Sequence, residues 1–245
     1  MAAVPSSRSG LLAALLASLA LTSAACGPPD EASRVRNPGP IQGSFYVSNF
    51  FTPSGDMGDG EFAGYLVTTF NTACKERPAG AGGDCYRFDY YVSSQKWAGV
   101  YWVYPSNSWG AYPGRDVIGP VDLGNGQRGY NSVSFSAAID QATLDANPGG
   151  LFVNFIAGGI DGSLATPMQP YSDQSCTGDG STCMPFKAQY GTELTTDWQT
   201  LHIDLSNLPL SAVIGAFAWV SSYPPSAVPG MTPPQTIFID DIAWE

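Results

Sequence analysis

Histidine and positive charge are both scarce in this chain of 245 residues. It has one histidine, and its 10 Lys and Arg residues are outnumbered by 21 Asp and Glu residues, which gives a formal net charge of −11. Nucleic-acid binding needs clustered lysine and arginine side chains against the phosphates, so this balance excludes a nucleic-acid partner. The histidine, His202, falls on the outward side of a predicted strand, and we expect an exposed strand residue there rather than a catalytic base.

Several enzyme motifs are also missing. The chain contains no Gly-x-Ser-x-Gly elbow, no phosphate-binding loop and no dinucleotide-binding glycine pattern. Glycoside hydrolysis needs only two carboxylates at a set separation, so a glycoside hydrolase or polysaccharide lyase stays open as an alternative. The candidate carboxylates, which no motif pairs, are Asp89, Asp161, Asp204 and Asp241.

Residues 1–25 are predicted to be an export signal. Arg8 is followed by the apolar run 11–21 and then by the small residues 23–25, which is the order typical of a signal peptide. The run is too short to span a membrane. Cys26 follows directly, in an arrangement that resembles a bacterial lipoprotein box, where the cysteine is lipidated after cleavage. Ordinary cleavage, giving a secreted protein, is the alternative.

The exported part divides into a linker and a folded body. Residues 26–43 are rich in Pro, Gly and charge without hydrophobic periodicity, which predicts a flexible linker behind a lipidated cysteine. Residues 44–245 have a length that suits one all-β domain. Gly27 stands where inner-membrane lipoproteins often carry Asp, so we expect an outer-membrane lipoprotein of the bacterial cell envelope.

Four cysteines remain once Cys26 is set aside. They form two closely spaced pairs, Cys74 with Cys85 and Cys176 with Cys183. As disulfides, each would close a Gly-rich loop and stabilise the fold by about 2.5–3 kcal/mol, in an oxidising compartment. Zinc binding is the alternative, but no histidine is near and neither spacing is of the C-x₂₋₄-C type.

Apolar and polar residues alternate with a period of two through most of residues 44–245. Residues 133–139 put their odd-numbered apolar side chains on one face, and residues 200–205 do the same. About nine such strands, separated by loops rich in the 28 Gly and 20 Pro residues, predict a β-sandwich, most simply a jelly roll. Only residues 136–146 are expected to hold a helical turn or two.

Residues 97–114 carry six aromatic side chains. Strand alternation would place Trp97 and Tyr101 on one face and Trp102 and Tyr104 on the other. Only one face can enter the core, so the other must be covered by a loop, a partner or a ligand.

Four segments, in this order along the chain, resemble galactose-binding-like jelly-roll carbohydrate-binding modules of bacterial secreted proteins. They are "WAGVYWVYPSNSWGAYPG", "GLFVNFIAGGI", "DWQTLHIDLSNLPLSAVIGAFAWV" and "IFIDDIAWE". The resemblance covers residues 44–245. It implies a module that binds polysaccharide without cutting it, often with a structural calcium ion.

The aromatic segment also supplies groups that could bind a sugar. The C–H face of a pyranose ring packs flat on Trp or Tyr, and its hydroxyls pair with amide, carboxylate or guanidinium groups. The alternative for Trp102 and Tyr104 is a place in the core. The candidate ligand-binding residues are Trp102, Tyr104, Asn107, Trp109, Tyr112 and Arg115.

A calcium site needs several oxygen ligands that converge from loops. The candidates, whose spacing is not that of an EF-hand, are Asp56, Asp59, Glu61, Asp240 and Asp241. Asp240 and Asp241 are adjacent in an apolar strand, so at least one is expected to be buried and paired, hydrogen-bonded or metal-bound. An acidic surface turn and a hydrogen-bonded core carboxylate are the alternatives.

Together these features predict a lipoprotein whose jelly-roll domain binds polysaccharide. A structural or assembly lipoprotein, which would use its aromatic surface to bind another protein, is a further alternative.

Overall fold

The computed structural model describes residues 44–107, 109, 130, 132–158, 160, 187–205 and 213–245. These residues form eleven β-strands, one short α-helix and two 3₁₀ turns, Val47–Asn49 and Asp59–Glu61. The strands are β1 (Phe45–Tyr46), β2 (Thr52–Gly58), β3 (Leu66–Phe70), β4 (Tyr86–Tyr90), β5 (Trp97–Val103), β6 (Ser132–Ile139), β7 (Leu151–Gly158), β8 (Lys187–Leu194), β9 (Gln199–Asp204), β10 (Gly215–Ser222) and β11 (Gln235–Trp244), and the helix is α1 (Gln141–Ala146). The export signal, Cys26 and the linker lie outside the described residues.

The strands pair into two antiparallel sheets. Sheet A has the order β3-β4-β11-β6-β9, with β1 also beside β11, and sheet B has the order β2-β5-β10-β7-β8. The pairs β7–β8, β6–β9, β5–β10 and β4–β11 are nested in sequence and alternate between the sheets. A chain that folds back on itself in this way follows the path of a jelly roll, so the predicted β-sandwich jelly roll is confirmed.

The core lies between the two sheets and is rich in aromatic rings. Phe135 on β6 contacts Phe155 on β7 at 4.5 Å and Phe217 on β10 at 4.8 Å between ring centroids. The predicted inward residues of β6 and β9 are buried, whereas His202 is exposed on β9. Alternation therefore predicted these two strands and their buried faces correctly.

The helix α1 is shorter than the range in which the sequence predicted it. Strand β6 continues to Ile139, and Asp140 then caps the helix by accepting a hydrogen bond of 2.7 Å from the Thr143 N–H. The Thr143 hydroxyl accepts a hydrogen bond of 2.8 Å from the Thr236 N–H on β11. This bond attaches the helix to sheet A.

The loop between β3 and β4 lies on the outer face of sheet A. The disulfide Cys74–Cys85 closes it, as the sequence predicted. The Trp198 indole N–H donates to the Glu76 carbonyl at 2.6 Å, which attaches the loop at one side. Residues 176 and 183, the second predicted pair, lie outside the described residues. Within the described part of the chain, no helix has the length and hydropathy needed to cross a membrane.

Candidate functional site

Trp102 is a core residue. It lies in the middle of sheet B, on β5 between β2 and β10, and its side chain enters the sandwich with 0% exposure. It packs edge-on against Tyr86 at 4.9 Å and Phe217 at 5.2 Å between ring centroids. The prediction that Trp102 binds a sugar is therefore wrong, because neither side of its ring reaches the surface.

The other predicted ligand residues do not form one platform. Tyr104 is half-buried against the core between the sheets, in edge-on contact with Phe51. Trp109 is half-buried on the outer face of sheet B, where its ring contacts Tyr101 edge-on at 6.0 Å. Asn107 is exposed, and its backbone N–H donates to the Ser54 hydroxyl at 2.9 Å. Tyr112 and Arg115 lie outside the described residues.

The outer face of sheet B changes along the strands from buried to open. At one end Tyr101, Ile156 and Ala218 are fully buried in a second apolar cluster, and the half-buried Trp109 packs against it. At the other end, Phe152 is 56% exposed on β7. An apolar outer face thus reaches the surface at this end of the sheet.

The strand register brings five side chains together at this end. Phe152 pairs with Glu193 on β8, and Asn154 pairs with Val220 on β10. Trp97, half-buried at the start of β5, and Val220 both pack against the outer cluster. We call the surface formed by Trp97, Phe152, Asn154, Glu193 and Val220 the open patch.

Glycines on the two edge strands let the rings of the open patch lie close to the sheet. A Cβ atom at Gly191 on β8 would stand 2.7 Å from both Phe152 Cζ and Asn154 Oδ1. A Cβ atom at Gly58 on β2 would stand 2.8 Å from Trp97 Cδ2. Each ring therefore occupies space that a side chain at the glycine would fill, and Phe152 is still 56% exposed.

The two rings stand across the sheet from one another. Trp97 is on β5 and Phe152 on β7, with β10 between them. Neighbouring strands are about 4.8 Å apart, so their backbones are separated by about 10 Å. On β10 between them, Ser222 pairs with Trp97, and Gly99, Val220 and Asn154 form the next row along the same face.

Sequence reasoning missed the open patch, although one signal was present. The segment "LFVNFIAGG" is apolar at alternate positions on both faces, which shows that its outward face is apolar. Phe152 is the exposed member of that face. The predicted ligand residues lie instead within 102–115, in the segment where aromatic residues are densest.

Asp59 is a structural carboxylate. It is fully buried at the end of β2, and its two oxygens accept four hydrogen bonds of 2.7–3.0 Å. The donors are the Tyr90 hydroxyl and the backbone N–H groups of Ser93, Gln95 and Lys96. Burial, and then the hydrogen bond to Asp59, raise the pKa of Tyr90 above its ordinary value.

Asp240 is buried and paired, as predicted for one of the two adjacent aspartates. Its carboxylate accepts two hydrogen bonds from Arg77 in the disulfide-closed loop, one of 2.8 Å from Nε and one of 2.7 Å from the terminal nitrogen. Asp241 accepts a hydrogen bond of 2.9 Å from the Gly82 N–H in the same loop. Both carboxylates therefore hold the loop to β11.

The predicted calcium ligands do not assemble into a metal site. Asp59 and Asp240 are saturated by protein donors, and burial together with the charge of Glu61 raises the pKa of Asp56. In the part of the chain that the structure describes, no three His, Cys, Asp or Glu side chains are placed to hold a metal ion. The partners that engage Asp59 and Asp240 are distant in sequence, so local spacing does not indicate them.

The candidate catalytic carboxylates are also engaged separately. Asp89 accepts hydrogen bonds from Arg87 at 2.9–3.1 Å and from Thr236 at 2.7 Å. Asp204 is exposed at the end of β9, and Asp161 lies outside the described residues. The hydrogen bonds of Asp89 therefore go to Arg87 and Thr236.

Comparisons with known proteins do not assign this chain to a family. No protein-family model and no curated protein matches the chain. Among solved structures, it is similar to the family 11 carbohydrate-binding module of the cellulosomal cellulase Lic26A-Cel5E of Clostridium thermocellum, at 12% identity and a TM-score of 0.35. That match covers 83% of this chain and 95% of the module. A TM-score this low supports neither a family assignment nor a function.

Proposed function

We propose that this protein binds polysaccharide without cutting it, through the open patch on sheet B. The observation that carries the proposal is the exposed Phe152 ring, which lies over Gly191 next to the Asn154 amide. More than half of this side chain is exposed, so apolar ring surface faces solvent. The apolar side of a sugar ring packs on such a surface.

The polar groups beside the rings suit sugar hydroxyls. The Asn154 amide offers both a donor and an acceptor, and the Glu193 carboxylate offers acceptors. Both residues lie on the same face as Phe152. The separation of about 10 Å between the Trp97 and Phe152 strands favours a chain of at least two sugar rings over a single sugar.

The proposal includes a cellular location, which rests on the sequence of residues 1–43. Cleavage before Cys26 and lipidation of that cysteine would anchor the chain to the bacterial envelope, in the outer membrane, with residues 26–43 as the linker. The Cys74–Cys85 disulfide fits an exported protein, because disulfides persist in oxidising compartments.

Binding and turnover are tested together with the purified domain. Residues 44–245 are run in native gels that contain one polysaccharide each, and the same mixtures are assayed for new reducing ends and unsaturated products. We expect slower migration in at least one gel and no products. Product formation that a single carboxylate substitution abolishes would contradict the proposal and favour the hydrolase or lyase alternative.

A further inference from the structure

We infer that the open patch selects uncharged glycan chains and that Glu193 is the residue that rejects anionic ones. This inference rests on the proposed function and names its substrate class. It depends on the charges of the outer face of sheet B, not on the shape of any one ring.

Glu193 is the charged residue of β8 that borders the open patch; Lys187 shares its face of the strand but pairs with Gly158, at the opposite end of β7 and β8. Glu193 is exposed on β8 directly opposite Phe152. Residues paired across neighbouring strands have Cβ atoms about 5 Å apart, so the carboxylate borders the surface on which a sugar would stack. A uronate or sulfate group placed there would meet a negative charge.

The cationic side chains that the structure describes have other partners, and Lys75 donates to the Thr196 carbonyl. Arg77 and Arg87 are paired with Asp240 and Asp89 on sheet A. Lys96 precedes Trp97, but its ammonium group donates to the Pro225 carbonyl. Recognition of carboxylate or phosphate groups depends on Arg or Lys donors. The open patch instead offers an amide and a carboxylate, which suit neutral hydroxyls.

Polysaccharides that share a backbone and differ in charge test this inference. Hydroxyethylcellulose is compared with carboxymethylcellulose, and methyl-esterified polygalacturonate with its de-esterified form, in affinity gels at low salt. The variants are Glu193→Gln, Phe152→Ala and Asp204→Asn. The last variant removes the same charge from the far sheet and controls for net charge.

We expect the uncharged member of a pair to bind more tightly. Glu193→Gln should strengthen binding of the charged member by about two- to five-fold, the range for one exposed charge pair, and added salt should reduce the difference. Asp204→Asn should leave the ratio within a pair unchanged.

The outcomes separate the two proposals. If the charged member binds as tightly as the uncharged one, and Phe152→Ala abolishes both, the inference about Glu193 is wrong and polysaccharide binding stands. If the unmodified protein binds no member of either pair and no other polysaccharide in the native gels, both the proposed function and this inference are contradicted.

Discussion

At the residue scale, glycine determines which aromatic rings reach the surface of sheet B. Trp97 contacts Gly58, the Trp109 ring lies 3.0 Å from the Cβ position of Gly55, and Phe152 lies over Gly191. These glycines sit on the edge strands β2 and β8. Covering a glycine is a structural use for a ring, and Phe152 serves it while leaving more than half of its side chain exposed.

Gly191→Ala tests whether that placement matters for binding. The new methyl group would overlap both the Phe152 ring and the Asn154 amide, so both should move. We expect polysaccharide retention to fall by about five-fold or more, the effect of losing a central contact residue. Retention is measured by affinity electrophoresis.

Gly230→Ala serves as its control, because the new methyl group would lie in open space. This variant carries a backbone cost at Gly230's positive φ of 74°, which Gly191 does not share, so a loss of binding confined to Gly191→Ala cannot come from backbone strain at a glycine. A Gly191→Ala protein that melts cooperatively and binds as well as the unmodified chain would show that the ring position is unimportant.

At the scale of elements, the loop that the disulfide closes depends on one buried charge. Asp240 on β11 has 0% side-chain exposure, and Arg77 is its ion-pair partner at 2.7 Å. A buried carboxylate without a partner is costly, so the loop stabilises the fold not only through its own contacts but also by supplying the partner of Asp240.

Arg77→Ala should destabilise the fold by about 3 kcal/mol, because it leaves Asp240 uncompensated. The matched control is Arg87→Ala. Arg87 has a similar side-chain exposure, 35% against 37%, but pairs with a partner that is itself 15% exposed. The control should cost about 1 kcal/mol or less. Urea unfolding measures both, and equal losses would refute a special role for the buried pair.

The disulfide adds to the same loop. Replacing Cys74 and Cys85 together by alanine should cost about 2–3 kcal/mol in the free energy of unfolding, because the unfolded chain regains the freedom that the crosslink removes. The measurement is urea unfolding of the oxidised protein and of the double variant. A difference below about 0.5 kcal/mol would show that the loop is held by its other contacts.

The sequence predicted the apolar strands but not the edge strands of sheet B. Strands β6 and β9 alternate clearly, whereas β2 ("TPSGDMG") and β8 ("KAQYGTEL") carry glycine and polar residues in place of apolar ones. Alternation divides the residues of β5 between two faces but does not show which face is inner. The prediction that Trp102 contacts a sugar is wrong for this reason. The partner of Asp240 lies 163 residues away in sequence, beyond what local patterns can indicate.

At the scale of the whole molecule, the jelly roll gives each sheet an outer face with a different use. The disulfide-closed loop lies on sheet A, and the aromatic residues of sheet B reach the surface at the open patch. The net charge of −11 keeps polyanions away from the molecule as a whole. The proposed polysaccharide binding would use the outer face of sheet B.

Cys26→Ala tests the proposed lipidation of this cysteine. In a bacterial host fed a labelled fatty acid, the unmodified precursor should carry the label in the membrane fraction, and the variant should carry none. Folding is followed by the melting temperature of the solubilised proteins, which should agree. Equal labelling of the two proteins would contradict lipidation at this cysteine.

The most direct measurement of the central claim compares Phe152→Ala with Phe70→Ala in polysaccharide binding. Both phenylalanines are exposed strand residues, at 56% and 58%, on different sheets. Each substitution should change stability by about 0.5 kcal/mol or less. We predict that Phe152→Ala weakens binding about five-fold or more and that Phe70→Ala leaves it unchanged. Equal affinities of the two variants for a polysaccharide that the unmodified protein binds would contradict the account.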